Sequence, residues 1–304
     1  MKTAAMSVLF AAAIVTCARP VAAQSGSARD PHAGHAMEQA APAVGAGQVG
    51  AANLPPAEEN AKARLNASPR HGEYADIALG GGGGTLRAWV SYPERKDKAP
   101  VVIVIHEIFG LTDWIRSVAD QLAADGYIAV APDLLTGKGP NGGGTDAFAS
   151  RDDVVAGVRG LAADEVVTKL NAVREYAIKL PAANGKTASV GYCWGGSTSF
   201  AYATRQPGLD AAVVFYGSAP SDLSTLAAIK APVLGLYGEN DARVNATIDA
   251  AKAEMGKLGK VFEPYIYPGA GHGFLRAQSG QEGANLKATQ QAWPTMLAFF
   301  KKHL

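Results

Sequence analysis

The chain has 304 residues, 48% of them hydrophobic and 18% charged, and its 28 basic and 27 acidic side chains give a formal net charge of +1. That composition can bury a sizeable core and excludes a disordered chain. The near-balanced charge gives no electrostatic ground for binding nucleic acid or an anionic membrane.

Residues 1–23, MKTAAMSVLFAAAIVTCARPVAA, have the pattern of a signal peptide. Lys2 supplies the basic start, an apolar run extends from Ala4 to Val15, and Val21, Ala22 and Ala23 form a small-residue ending. The apolar run is shorter than the ~20 residues of a membrane span. An exported protein, periplasmic or secreted, with no stable membrane insertion after leader removal is therefore expected. Removal takes away Lys2 and Arg19 and no acid, leaving 26 basic against 27 acidic residues. Cys17 goes as well, unless it is lipidated instead, and Cys193 is then the single cysteine. A solitary thiol in an oxidising compartment is either buried and inert or kept for its reactivity.

Residues 24–70 are dominated by Ala, Gly, Pro and polar side chains, which predicts a flexible linker ahead of one folded domain over 71–304. His32, His35 and Met37 in the linker are metal-donor types. On a floppy segment they form no preorganised site, so no metal is expected.

The domain opens with two predicted strands, near 74–79 and 86–92, joined by five glycines at 80–84. No Lys-Ser/Thr or helix start follows them, so they read as a hairpin loop rather than a phosphate loop. Short apolar runs then alternate with helical periodicity. APVVIVIH (99–106) is a strand, and Ile115, Val118 and Leu122 mark one helix face. YIAVAPDLL (127–135) is the next strand, followed by the helical stripe Val166, Leu170, Val173, Ala177 and Leu180. Four more strands lie in KTASVGYC (186–193), DAAVVFYG (210–217), APVLGLYGEND (231–241) and FEPYIYPGAGH (262–272). A helix over about 246–258 separates the last two, and a terminal helix over 285–304 carries Pro294, which predicts a kink. This alternation predicts an α/β domain with a mostly parallel central sheet and helices on both faces. In such sheets chemistry gathers at the carboxyl ends of the strands.

GYCWG (191–195) has the spacing of a nucleophile elbow, Gly-x-nucleophile-x-Gly, with Cys193 in the nucleophile position. The following helix N-terminus is expected to lower the thiol's pKa. Asp241 follows one later strand and His272 follows the next, in the chain order of an α/β-hydrolase triad. Each residue alone has a structural explanation: a packed thiol, a turn aspartate, a loop histidine. Their joint placement at strand ends carries the functional reading. In this fold the loop after the first long apolar strand and the residue after the nucleophile donate the oxyanion-hole N–H groups, which makes Ile108 and Trp194 the candidates. Glu107 is a carboxylate at the end of an apolar strand, costly there unless paired or used. A surface ion pair is its alternative.

Together HEIFG, APDLL, GYCWGG, AAVVFYG, GENDARV and GAGHGF resemble the dienelactone hydrolases (carboxymethylenebutenolidases), from about residue 72 to the end of the chain. The resemblance implies an α/β-hydrolase fold and a Cys193–His272–Asp241 triad. It implies attack on a strained enol-lactone through an acyl-enzyme, with no cofactor. It also implies that Glu107 governs the proton balance of Cys193 until substrate displaces it, and that Arg276 binds a substrate carboxylate. A second arginine would come from the segment after APDLL, where this chain has TGKGPNGGGTDAFASRDD (136–153), and Arg151 is the nearest. That glycine-rich departure, and export itself, leave the dienelactone substrate open. The expectation is a monomeric hydrolase of a small ester or lactone. A broad carboxylesterase or thioesterase, and a non-catalytic thiol switch or binding protein on a hydrolase scaffold, remain alternatives.

Overall fold

The computed structural model describes residues 53–304. In chain order they form α1 (Ala61–Asn66), β1 (Gly72–Ala78), β2 (Thr85–Ser91), β3 (Ala99–Ile105), α2 (Asp113–Ala124), β4 (Ile128–Pro132), α3 (Arg151–Arg159) and α4 (Ala163–Ala177). Then follow β5 (Ala183–Tyr192), α5 (Trp194–Ala203), β6 (Ala211–Phe215), β7 (Val233–Asn240), α6 (Ala242–Asn245), α7 (Ile248–Lys257), β8 (Phe262–Gly271) and α8 (Ala284–His303). The strands make one eight-stranded sheet in the order β1-β2-β4-β3-β5-β6-β7-β8. The β1–β2 and β2–β4 pairs are antiparallel and every other neighbouring pair is parallel. The chain thus has the mostly parallel, helix-covered sheet of the α/β-hydrolase fold.

The central strands are apolar on both faces because both faces are covered. Along β3, Val101, Ile103 and Ile105 join one core with Leu170 and Val173 of α4, Phe200 of α5 and Met255 of α7. Val102 and Val104 point the other way, into a second core with Trp114 and Leu122 of α2 and Trp293 and Phe300 of α8. Alternation along one strand therefore feeds two cores. Helix α2 begins where Thr112 Oγ1 accepts a hydrogen bond from the Ile115 N–H at 3.3 Å, with Asp113 adding negative charge to the first turn. Pro294 lies inside α8, which continues through it to His303. Among the described residues no helix is long and apolar enough to cross a membrane.

Strand register sets the working end of the sheet. Ile105 of β3 lies opposite Gly191 of β5, so Glu107 and Cys193, two residues further on, leave the sheet side by side. Asn240 of β7 lies opposite Gly271 of β8. The next residue on each is Asp241 and His272.

The linker expectation fails over its last part. Residues 53–70 are ordered against the domain: Leu54 and Ala61 are buried, and α1 carries the segment along α2. The Trp114 indole N–H donates to Pro56 O at 3.0 Å, and Gln278 Nε2 donates to Pro55 O at 2.9 Å. Ser68 Oγ and Arg70 Nε both donate to Asp120 Oδ1, at 2.6 and 3.0 Å. Composition suggests slack because large apolar residues are scarce, but a few buried side chains, Leu54, Ala57 and Ala61 among them, and proline carbonyls matched by fixed donors are enough to dock a short strap. The remainder of the linker, residues 24–52, with His32 and His35, and the leader with Cys17, lie outside the described residues.

Trp293 is fully buried, and its indole N–H donates to Asp125 Oδ2 at 2.9 Å. Trp293→Ala should lower unfolding stability by about 3–5 kcal/mol. Denaturant titration should show Trp293→Phe losing less, because a ring still fills the α8–sheet interface.

Candidate active site

Cys193 stands between the last residue of β5 and the first of α5, with φ 56° and ψ −116°. A non-glycine residue held at positive φ costs on the order of 1–3 kcal/mol and persists only where its surroundings impose it. Here the backbone is pinned from both sides: Cys193 N–H donates to Phe215 O, and Ser197 N–H donates to Cys193 O, each at 3.1 Å. The flanking glycines make this turn possible. A Cβ on Gly191 would lie 1.8 Å from Gly195 O, and one on Gly195 would lie 2.3 Å from the carbonyl oxygens of both Ile105 and His106.

The thiol is mostly buried, and its pKa is raised. Burial is the largest cause and the charge of Glu107 the next, while backbone hydrogen bonds from Trp194 and Ile108 pull the other way. This corrects the expectation of a thiol acidified by its helix. The helix end does contribute a donor, but desolvation and a neighbouring carboxylate outweigh it. Both predicted oxyanion donors nonetheless act on the sulfur, in the direction that favours a thiolate.

Asp241, at the start of α6, is buried, and its Oδ2 lies 2.5 Å from His272 Nδ1. With the Nδ1 proton committed to the carboxylate, Nε2 is the nitrogen free to accept another. The His272 side chain is 35% exposed, so the imidazole bridges a dry acid and the solvent side. The Tyr216 ring stands edge-on to it at 5.2 Å between centroids. Sequence reasoning missed Asn285, which is buried in the first turn of α8. Its Oδ1 accepts from the Gly271 N–H at 2.9 Å, and its Nδ2 donates to Ala277 O at 2.7 Å. It thereby fastens the loop that presents His272. The signal was available: Asn285 falls on the same helical stripe as Ala288, Ala292 and Met296.

Glu107 is 3% exposed. Burial pushes its pKa up to about 7, although Arg276 and Arg151 pull it down. Arg276 Nε lies 2.9 Å from Glu107 Oε2, but its N–H is poorly aimed at that oxygen, so the contact is an ion pair more than a directed hydrogen bond. Arg276 also donates through Nη1 to Glu58 Oε2, and Arg151 Nη2 lies 3.5 Å from Glu58 Oε1. Both guanidiniums sit over the Phe109 ring, Arg151 at 3.6 Å and Arg276 at 5.3 Å from its centroid. The two arginines named from the sequence thus meet, on a glutamate assigned to a linker. His106 is fully buried and stacks on Trp194 at 5.5 Å, with Nδ1 2.7 Å from Glu107 O. Burial lowers its pKa. Among the described residues no three His, Cys, Asp or Glu side chains gather as a metal-binding group.

The model of the dienelactone hydrolase family matches residues 86–304. A Salmonella typhimurium protein called "Putative carboxymethylenebutenolidase" is 31% identical over 234 residues, covering 73% of this chain and 84% of that relative. "Carboxymethylenebutenolidase 1" of Cupriavidus pinatubonensis is 32% identical over 199 residues, 65% of this chain and 84% of its own. Among solved structures, a "Putative Dienelactone Hydrolase" from Klebsiella pneumoniae superposes with a TM-score of 0.66 at 26% identity, covering 76% of this chain and 99% of that one.

Two outcomes follow from the buried carboxylate. In the folded chain Glu107 keeps its proton up to about pH 7, whereas its ordinary value is 4.5. Between those values the folded state binds more protons than the unfolded one, so this group's contribution to stability falls as pH rises. Glu107→Gln should remove that fall, a difference of up to about 3 kcal/mol by pH 8, read from denaturant midpoints across pH. Iodoacetamide labelling of Cys193 should show a midpoint above that of a free thiol, and Glu107→Gln should move it to lower pH.

Proposed function

The chain belongs to the dienelactone hydrolase family, and from that premise we propose that it hydrolyses a small ester or lactone with Cys193 as nucleophile, His272 as proton carrier and Asp241 as the acid that orients it. The observation that carries this reading is the 2.5 Å contact between buried Asp241 and His272, at the ends of the neighbouring strands β7 and β8. A buried carboxylate spent on one nitrogen of a half-exposed imidazole fixes tautomer and ring orientation, which acyl transfer requires.

In this mechanism His272 Nε2 takes the Cys193 proton, and the thiolate attacks the carbonyl carbon to form a C–S bond. The carbonyl oxygen becomes an oxyanion held by the Ile108 and Trp194 N–H groups, the same groups that hydrogen-bond the sulfur at rest. Collapse breaks the C–O bond, and the departing oxygen takes the proton from His272. With a lactone the leaving alcohol stays attached and the ring opens. Water then gives a proton to His272 and attacks the thioester. The C–S bond breaks, and the sulfur recovers its proton from His272. The balance is one ester and one water to one acid and one alcohol. Burial first and Glu107 second favour the thiol between turnovers, which limits oxidation of the cysteine in a periplasmic or secreted protein.

The leader pattern of residues 1–23 supports export. All the groups in the mechanism come from one chain, so the reaction asks for no residue of a second copy.

Cys193→Ala and His272→Ala should each lower kcat/KM for 4-nitrophenyl acetate and for a simple aryl lactone by at least about 10³-fold. Mass spectrometry of a quenched wild-type reaction should find the acyl group on Cys193. Full activity in Cys193→Ala would remove the nucleophile from this reading.

A further inference from the structure

Glu58 is where the strap touches the site. Its two carboxylate oxygens are divided between two cations, Oε2 taken by Arg276 and Oε1 facing Arg151. Arg276 in turn contacts Glu107, whose charge acts on the Cys193 thiol. A continuous line of charged groups therefore joins Glu58 to the sulfur. When Glu107 is ionised, two carboxylates face two guanidiniums, so the local charge is balanced with Glu58 in place.

Nothing about Glu58's own surroundings demands this position. Its side chain is 38% exposed and could turn to solvent. The strap delivers it instead: the Glu58 N–H donates to Arg276 O at 3.0 Å, while Leu54, Pro55 and Pro56 are anchored just before it. A carboxylate bridged by two arginines above the flat face of Phe109 has the environment that would bind the carboxylate of an unsaturated or aromatic acid.

We propose that Glu58 is a specificity-determining residue whose carboxylate occupies the carboxylate-recognition subsite formed by Arg276 and Arg151, so that the folded enzyme favours neutral esters and lactones over anionic ones. An incoming substrate carboxylate must either displace a tethered competitor or become a third negative charge beside two positive ones. Tethering gives Glu58 an effective concentration in the millimolar range or above, which a dissolved substrate has to outcompete. With Glu58 neutralised, the arginines are left with one carboxylate between them and room for a second.

This inference rests on Cys193 being the nucleophile, and the test keeps the two apart. In the first arm, kcat/KM is measured for 4-nitrophenyl acetate and for 4-nitrophenyl hemisuccinate. Glu58→Gln and Glu58→Ala should each raise the hemisuccinate-to-acetate ratio at least about tenfold over wild type, and Glu58→Gln combined with Arg276→Gln should cancel the rise. In the second arm, calorimetry follows benzoate, which needs no catalysis. It should bind either Glu58 variant at least about tenfold more tightly than wild type, and lose that gain in the double variant. An unchanged ratio with equal benzoate affinity would overturn the role of Glu58 while leaving the hydrolase reading intact. Absence of any ester hydrolysis in wild type would defeat the nucleophile reading, and the benzoate arm alone would then decide whether Glu58 fills the subsite.

Discussion

Glu107 can be ionised only at a cost, and the rest of the site is arranged around that cost. Leaving β3 beside the Cys193 turn, it is almost wholly withdrawn from water, and a carboxylate so placed must be paired, protonated or both. Arg276 provides the pairing and burial favours the protonation. The balance falls near neutral pH, where a small change in surroundings moves the proton. Whatever alters Arg276 therefore alters Glu107, and whatever alters Glu107 alters the thiol. The fold supplies the rigidity for this coupling, because register fixes Ile105 against Gly191 and the glycine contacts leave the elbow no slack.

Two opposite influences meet at Cys193, and magnitude decides between them. A helix N-terminus and two backbone donors favour a thiolate. Burial and a neighbouring acid disfavour it, and they prevail. In the proposed mechanism the sulfur therefore starts out as the thiol and not as the thiolate.

Much of this was legible in the residues. Strands apolar on both faces, helices with one apolar stripe, and Cys193, Asp241 and His272 at the ends of β5, β7 and β8 are local patterns with direct physical meaning. The strap was not legible, because residues 53–70 are poor in large apolar side chains and their order depends on donors contributed by Trp114 and Gln278, far away in the chain. For the same reason Glu58 read as an ordinary linker glutamate. Arg151 and Arg276 could be named as candidates, but only tertiary structure brings them together over Phe109. The direction of the thiol's shift was misjudged because helix geometry is visible in sequence whereas depth of burial is not.

The Glu58–Arg276 contact joins residues 218 positions apart. Closing a loop of that length from an unfolded chain costs on the order of 5 kcal/mol in entropy, far more than the ~1 kcal/mol a partly exposed ion pair returns. The strap cannot recruit the site. It must settle on a sheet already assembled, with α2 and the β8–α8 loop in position to receive it. In kinetic terms it is a late-docking element, and by the same reasoning an early one to detach. Its opening would register as a separate low-energy step in amide exchange, distinct from global unfolding.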